Sequence, residues 1–329
     1  MGCGAMKLTP AELHRLCADA ARGAGASAEH AEWLAAATVH AERRRHPAVG
    51  VVHLFDYLAG LRSGAVDGGA EPVVERNGAI VQVDAGEGIA QTAFHRALPL
   101  LREVLADQGT AVMAMRNSYT VGELGYYTSC LALEGVVALA VSNSPALVAL
   151  GESGRPVVGT NPMSLAAPAD DGLPLVIDQG VSYAAYVSVR DAAARGERIP
   201  EGWAVDENGR PTTDAKAALT GALLPIAGHK GANLGLLVEV LAGLAGGNWS
   251  VNAPSFEEGA RSPGVGMFLI AIDPRRFGGD FTARLGAHLR TLGGEYGVYV
   301  PGRRSASSTG GDPLDIDDEL VAALRSAVG

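Results

Sequence analysis

Apolar residues recur at helical spacing through the N-terminal part of the chain. Thr9-Pro10-Ala11-Glu12 combines an N-cap residue, a proline at the first helical position and an acidic residue in the first turn. Ser27-Ala28-Glu29-His30 has a similar cap, and an alanine-rich stretch follows it as far as Glu42. Residues 51–61 suit one more helix. The pattern therefore predicts a helical segment over residues 8–62.

Beyond Pro72 the pattern changes to short apolar runs bounded by Gly, Pro or Asn. It predicts strands at 79–83, 110–115, 136–141, 173–178 and 268–272, and helices at 89–106 and 231–246. The runs at 110–115, 136–141 and 173–178 are almost continuously apolar, which is typical of strands buried on both faces. Strands that alternate with helices predict an α/β fold behind the helical segment.

Three further segments complete the predicted organisation. Residues 190–222 carry few apolar anchors and many turn residues, so we expect a surface excursion of the kind that shapes active sites. The tail over 301–313 has the composition of a loop, and 317–328 suits a closing helix. We therefore predict a helical domain of residues 1–70 joined by the C-terminal segment 314–329, and an α/β domain over 71–313.

Composition narrows the class of protein. Hydrophobic residues make up 47% of the 329 positions, and the net charge of −10 argues against nucleic acid as a partner. Cys3, Cys17 and Cys130 are too scattered for a disulfide framework or a zinc site, so we expect no metal. Apolar runs stay below the roughly 18 residues of a membrane helix. The N-terminus has no signal-peptide pattern, and we expect a cytoplasmic protein.

A dinucleotide-binding fingerprint is the first motif to test. Gly86-Glu87-Gly88 follows a predicted strand and precedes a predicted helix. Gln91 stands where the third glycine is needed, and no acidic residue follows about 20 positions later at a strand end. A tight strand-to-helix turn is the better interpretation, and a GxGxxG Rossmann fold is not predicted.

Three other motifs suit ligand binding, although each has a structural alternative. Gly159-Thr160-Asn161-Pro162 is a turn with a hydroxyl and an amide that could hold a polar ligand. Asp178 through Ser182 follow a buried strand, where α/β proteins place ligand-binding groups, or simply cap the next segment. Gly228-His229-Lys230-Gly231 opens an apolar helix whose N-terminus suits a phosphate or carboxylate.

Histidines and arginines offer fewer signals. Only His46, His53 and His229 lie near turns or helix starts, where a functional role is worth considering. The other five lie in helical stretches and are expected to be structural or solvated: His14, His30, His40, His95 and His288. The cluster over residues 43–45, three arginines in a row, suits a solvated surface better than an anion site.

Taken together and in this order, the motifs resemble one family. The most specific stretch is IPEGWAVDENGRPTTD over residues 199–214, supported by the Gly-Thr-Asn-Pro turn, the Asp178–Gln179 segment and the His-Lys helix start. Arg116-Asn117-Ser118, Gly125-Tyr126-Tyr127 and the run IAIDP at 270–274 match as well. The chain resembles the malate/L-lactate dehydrogenase family, which also contains sulfolactate and ureidoglycolate dehydrogenases, diketogulonate reductase and Δ1-piperideine-2-carboxylate reductase.

This resemblance implies a fold, a cofactor and an assembly. The implied fold is α/β, a sulfolactate-dehydrogenase-like mixed-sheet domain flanked by helices plus an N-terminal helical domain, and the implied assembly is a homodimer. The implied cofactor is NADPH or NADH, held by Thr160, Asp178, Gln179, Gly180, Ser182, His229, Lys230, Gly302 and Arg303. Family members usually have Glu where Arg303 stands, and Arg303 with Arg304 would favour a 2′-phosphate.

The catalytic positions depart from the family. Its members carry a proton-donating His, followed four residues later by an Arg that grips the substrate carboxylate; here these positions are Val49 and His53. A second family histidine corresponds to Thr120. Loss of a positioned general acid costs about 10²- to 10⁴-fold in rate, so the resemblance implies an altered reaction.

We therefore expect an NAD(P)H-dependent reductase of an unusual small substrate, a cyclic imine or a 2-oxo acid, in bacterial specialised metabolism. The expected pocket is lined by His46, His53, Tyr119, Thr120 and Asn143 or Ser144. His53 would replace the lost Arg, Tyr119 or a water would deliver the proton, and His46 would contribute if its loop bends suitably. The alternatives are a non-redox enzyme for elimination, cyclisation or isomerisation, and a catalytically silent partner protein.

Overall fold

The computed structural model describes residues 4–151, 153–257, 259–303 and 312–328. Its α-helices are α1 (Pro10–Gly23), α2 (Ala28–Arg43), α3 (Val51–Ser63), α4 (Ala90–Gln108), α5 (Leu124–Leu133), α6 (Tyr186–Arg195), α7 (Ala215–Thr220), α8 (His229–Leu244), α9 (Phe281–Gly294) and α10 (Asp318–Ala327). Its strands are β1 (Ala5–Leu8), β2 (Val73–Asn77), β3 (Ile80–Asp84), β4 (Thr110–Ser118), β5 (Val137–Ser142), β6 (Val148–Ala149), β7 (Pro156–Val158), β8 (Met163–Ala167), β9 (Leu175–Gln179), β10 (Ala204–Val205), β11 (Pro211–Thr212), β12 (Ala222–Leu223), β13 (Val265–Ile272) and β14 (Leu314–Asp317).

The N-terminal helices form as their caps predict. Thr9 and Glu12 close a reciprocal capping box on α1, and the Ser27 hydroxyl accepts a hydrogen bond from the His30 amide at the start of α2. Gly25, at φ 109°, separates these two helices. Their buried faces share one apolar core with α3 and α10. The closing helix therefore packs on the N-terminal helices, and β1 pairs with β14 beside it.

The main sheet has seven strands in the order β2-β3-β4-β13-β5-β8-β9. It is mixed, because β3 and β4 are parallel while the other neighbours are antiparallel. Helices α4 and α5 cover one face and form the largest core with it. The prediction that three strands are buried on both faces is wrong. Burial alternates along them, and Leu139 and Ile177 on the second face stay 37% and 38% exposed.

The predicted surface excursion over 190–222 folds into a small lobe. Strands β10, β11 and β12 join β6 and β7 in a second sheet, and α6 and α7 pack on it around a separate apolar core. No helix in the described ranges is both long and apolar enough to cross a bilayer. The boundaries predicted at residues 70 and 314 stay a prediction, and most of the predicted 301–313 loop, 304–311, lies outside the described residues.

Candidate active site

A cavity of about 600 Å³ lies where three loops meet. The first follows α2, the second precedes α5, and the third continues from the end of β9 into α6. It is lined by Arg45, His46, Pro47, Ala48, Val49, His53, Thr120, Val121, Gly122, Glu123, Leu124, Ser144, Leu147, Thr160, Pro162, Asp178, Gln179, Gly180, Ser182, Tyr183, Ala184, Ala185, Tyr186, Val187, Ser188, Ile226 and Phe256. Most of the predicted catalytic and cofactor residues therefore line this one cavity.

Glu123 is the most buried charge of this cavity. Its side chain is only 1% exposed, and both carboxylate oxygens accept hydrogen bonds. His40 Nδ1 lies 2.6 Å from one oxygen, while Arg44 Nε and His46 Nδ1 lie 2.9 and 2.8 Å from the other. Burial alone would raise the pKa of Glu123, but the hydrogen bonds from the two histidines outweigh it and lower the pKa to about 2. Glu123 is therefore ionised at neutral pH.

His46 reaches the cavity because the chain bends sharply after α2. Arg45 has φ 60°, and the His46 amide bonds back to the carbonyl of Ala41. The hydrogen bond to Glu123, opposed by burial and reinforced by the negative charge, raises the pKa of His46. Nε2 has no hydrogen-bond partner within the described part of the chain, so it is available to a ligand.

Asp178, at the end of β9, faces the same cluster. The Gly125 amide, in the first turn of α5, donates to its carboxylate at 2.6 Å. Burial and the nearby charge of Glu123 nevertheless raise the pKa of Asp178 to about 6. Donor atoms of His46, Glu123 and Asp178 lie within 4.8 Å of one another. Their types suit a divalent cation, but Glu123 already has three hydrogen-bonded N–H partners, so an ion-pair cluster describes them better.

His53 occupies the position expected for the carboxylate-gripping Arg, but its ring is already bonded. Nδ1 lies 2.7 Å from the Asp56 carboxylate and Nε2 lies 3.1 Å from the Thr120 hydroxyl. Arg190 binds the same carboxylate with two nitrogens, at 2.9 and 3.1 Å. His53 would have to break a contact to bind a substrate anion, so the geometry does not favour it as a replacement for the Arg.

The segment after β9 presents backbone and hydroxyl groups to the cavity. The Val181 amide donates to the Thr160 carbonyl at 2.8 Å, which fixes the Gly-Thr-Asn-Pro turn beside the strand end. A Cβ on Gly180 would come 3.1 Å from that carbonyl, so glycine keeps the backbone accessible there. Ser182 donates its hydroxyl to the Ala184 carbonyl at 2.7 Å. These groups suit a flat polar ligand such as a carboxamide.

The remaining predicted cofactor residues lie outside this cavity. His229 and Lys230 begin the 16-residue helix α8, three residues beyond the cavity-lining Ile226. Gly302 packs against β9 near Pro174 and Val176, about 13 Å along the strand from Gly180.

Arg303, predicted as a cofactor contact, is bound within the protein. It forms an ion pair with Asp171 at 2.6 Å and lines a second cavity of about 560 Å³. Arg304 lies outside the described residues. The structure therefore gives no free guanidinium at Arg303 for a 2′-phosphate.

Two predicted pocket residues have structural positions instead. Tyr119 is fully buried, and its hydroxyl donates to the carbonyls of Phe256 and Asp56, at 2.5 and 3.2 Å. Burial raises the pKa of this phenol well above its usual range, so Tyr119 is unsuited to deliver a proton. The Asn143 side chain donates to the backbone carbonyl of residue 248 and accepts from the backbone amide of residue 266. Ser144, in contrast, lines the cavity.

Several residues of the site were not predicted. Glu123 could have been found, because it is the only charged residue between Arg116 and Glu134, and a lone charge in an apolar stretch needs partners. The prediction of a solvated surface is wrong for Arg44, which binds Glu123. His40, predicted to be structural or solvated, has a structural position because it binds Glu123 as well.

Comparisons with known proteins agree with this architecture. A model of the family described as malate/L-lactate dehydrogenase matches residues 8–315. The chain belongs to that family. It is 38% identical over 323 residues to a (2R)-3-sulfolactate dehydrogenase (NADP(+)) of Chromohalobacter salexigens, covering 96% of each chain. It is 40% identical over 285 residues to a Δ1-pyrroline-2-carboxylate/Δ1-piperideine-2-carboxylate reductase of Pseudomonas syringae pv. tomato, covering 85% of this chain and 83% of the relative.

The crystal structure of Δ1-piperideine-2-carboxylate reductase from the same Pseudomonas superposes with a TM-score of 0.90 at 36% identity, over 98% of this chain and 99% of the other. The predicted α/β fold and the predicted oxidoreductase class of this family member are thereby confirmed. The comparisons also support NADPH or NADH as the cofactor.

Proposed function

We propose that this family member is an NAD(P)H-dependent reductase that acts on a small cyclic imine. One observation carries the proposal: the Glu123-bound His46 and the segment Asp178–Ser182, where the nicotinamide is expected, line one cavity. Bound NAD(P)H would supply a hydride. The protein would supply the proton, the orientation of both molecules and a site shielded from water.

The residues present fit a nicotinamide nucleotide in two places. Thr160, Gly180 and Ser182 give the cavity the polar groups that a carboxamide needs. The N-terminus of α8 suits the pyrophosphate. Lys230 lies in its first turn, and the side chain forms no ion pair or hydrogen bond with the residues that the structure describes.

An imine suits the altered catalytic positions better than a ketone does. Hydride transfer to a 2-oxo acid creates an alkoxide that a positioned acid must protonate, but Val49 and Thr120 stand at the two acid positions. A protonated imine becomes a neutral amine after hydride transfer, so no acid has to protonate an alkoxide during that step. His46, with its raised pKa, would protonate the imine nitrogen from Nε2 beforehand. A 2-oxo acid remains the second substrate class.

The assembly we propose is a homodimer. Helix α8 presents Leu236, Leu237, Val240 and Leu244 on one side, and these side chains are 47–71% exposed. Trp249, which lies beside Gly243 of α8, is 49% exposed as well. An exposed apolar area of this kind is typical of a subunit interface. Leu237→Glu with Val240→Glu is expected to give a monomer by light scattering, whereas Leu133→Glu on α5 serves as the exposed apolar control.

We also propose that the reaction belongs to bacterial specialised metabolism in the cytoplasm. The relatives named above are bacterial, and NADPH and NADH are cytoplasmic reductants. The altered positions Val49 and His53 support a way of holding the substrate that differs from the usual one in the family.

Oxidation of NADPH, followed at 340 nm with candidate substrates, tests the function. Δ1-Piperideine-2-carboxylate and Δ1-pyrroline-2-carboxylate are expected to turn over faster than pyruvate. His46→Gln is expected to lower kcat about 10²- to 10⁴-fold, while the control His14→Gln on α1 leaves it unchanged. Turnover of no imine or 2-oxo acid, with cyclisation or elimination of the same compounds instead, would support the non-redox alternative.

A further inference from the structure

Arg45 lies at a turn where glycine would be the unstrained choice. Its φ of 60° falls in the left-handed region that side chains other than glycine, Asn and Asp rarely adopt. The turn connects the end of α2 to His46 and the short 3₁₀ helix Pro47–Val49. An arginine held in this conformation is worth explaining by what its side chain does.

The Arg45 side chain is at the cavity and has no partner. Among the cavity-lining residues of the described chain, Arg45 is the only Lys or Arg. No carboxylate in the described ranges pairs with it, whereas the nearby Arg44 and Arg190 are bound to Glu123 and Asp56. Arg45 is exposed and lines the cavity, so its unpaired guanidinium is available to an anion that enters there.

The two histidines of the cavity have other roles. His53 lies between Asp56 and Thr120, and His46 is bound to Glu123 through Nδ1. Asp178 and Glu123 would repel an anion placed deeper in the site. An anionic group on a ligand is therefore best placed beside Arg45, which leaves His46 Nε2 for the imine nitrogen.

We propose that Arg45 binds the carboxylate of the substrate and so selects cyclic imines that carry a carboxylate beside the C=N bond. A guanidinium offers two parallel N–H donors to a carboxylate, which fixes the orientation of the ring as well as its affinity. The proposal rests on the proposed reductase function, and it assigns a specificity-determining role to a residue outside the expected catalytic positions.

Arg45→Gly with two matched substrates tests the proposal. The variant removes the guanidinium and places glycine at a φ that it adopts freely, so folding is expected to be preserved or improved. With Δ1-pyrroline-2-carboxylate, kcat/KM is expected to fall about 10- to 100-fold, mostly through KM. With Δ1-pyrroline, the same ring without the carboxylate, it is expected to change less than about threefold.

Two further variants separate charge from contact. Arg45→Lys keeps the charge but loses the planar pair of donors. Its kcat/KM with Δ1-pyrroline-2-carboxylate is expected to lie between the values of wild type and Arg45→Gly. Arg43→Ala removes a neighbouring cation that does not line the cavity, and is expected to behave like wild type.

Three outcomes would overturn the proposal. Equal losses with both substrates would mean that Arg45 acts through the shape of the loop. A weaker NADPH Kd in Arg45→Gly would mean that it binds a cofactor phosphate. Equal losses in Arg43→Ala would mean that only net charge matters.

A binding experiment keeps the test independent of turnover. Pyrrole-2-carboxylate, a planar ring that cannot be reduced by hydride, is titrated calorimetrically into wild type and Arg45→Gly. A loss of at least tenfold in affinity in the variant supports Arg45 even if no imine turns over, in which case the reductase proposal alone fails. Equal affinities, or no binding to wild type, would contradict the role of Arg45.

Discussion

Replacement of Glu123 by Gln is expected to be strongly destabilising, although the two side chains have nearly the same shape. The pKa of Glu123 falls from 4.5 to about 2 in the folded protein, in spite of burial. A shift of this size corresponds to about 3 kcal/mol in favour of the charged form. Glu123→Gln removes that contribution and leaves Arg44, whose side chain is 12% exposed, without its counter-ion.

Equilibrium urea unfolding at pH 7 measures this loss. Glu134→Gln is the matched control, because Glu134 pairs with Arg102 at the surface with side-chain exposures of 37% and 51%, and its loss is expected to cost less than about 1 kcal/mol. The lowered pKa of Glu123 also determines how its contribution to stability changes with pH. Its contribution is complete above pH 4.5 and disappears as the pH falls toward 2, so wild type and Glu123→Gln are expected to converge in acid. A variant within about 0.5 kcal/mol of wild type at pH 7 would refute the reasoning.

Three other predictions follow from the same site. Gly125→Ala would place a Cβ 2.8 Å from a carboxylate oxygen of Asp178, so we expect the NADPH Kd to rise about tenfold with little loss of thermal stability; an unchanged Kd would exclude a role for that carboxylate position. Because the pKa of His46 is raised, kcat is expected to fall with increasing pH above 6.5, and the inflection is expected to move down in Glu123→Gln; identical profiles would contradict the contact. Glu239→Gln replaces a buried acceptor of three hydrogen bonds, one of them from the Asn161 amide, and is expected to cost about 2 kcal/mol in urea unfolding.

Local signals in the sequence predicted much of the fold. The Thr9 and Ser27 caps set the starts of α1 and α2, and the apolar runs located β4, β5 and β9. The burial of these strands was predicted wrongly. An apolar strand has the same sequence pattern whether its second face is covered by a helix or stays exposed. The pairing of β1 with β14 joins the two ends of the chain and leaves no local signal.

The site was predictable only in part, for a related reason. Asp178 and the Gly-Thr-Asn-Pro turn are recognisable as short motifs, and both line the cavity. The ion-pair cluster is not a motif, since Glu123 lies 77 to 83 residues from the histidines it binds. Three consecutive arginines predict a solvated surface, and the positive φ of Arg45 leaves no signal in the sequence.

The central claim, that this cavity serves nicotinamide-dependent reduction, is tested most directly by cofactor binding. Purified protein is titrated separately with NADPH and NADH while the nicotinamide fluorescence is followed. We expect saturable binding in the micromolar range for at least one of them, and we expect that binding to be lost in Gly180→Leu, whose side chain would fill the approach beside Thr160. Absence of binding for both cofactors, or equal binding in Gly180→Leu, would mean that this cavity does not hold the nicotinamide.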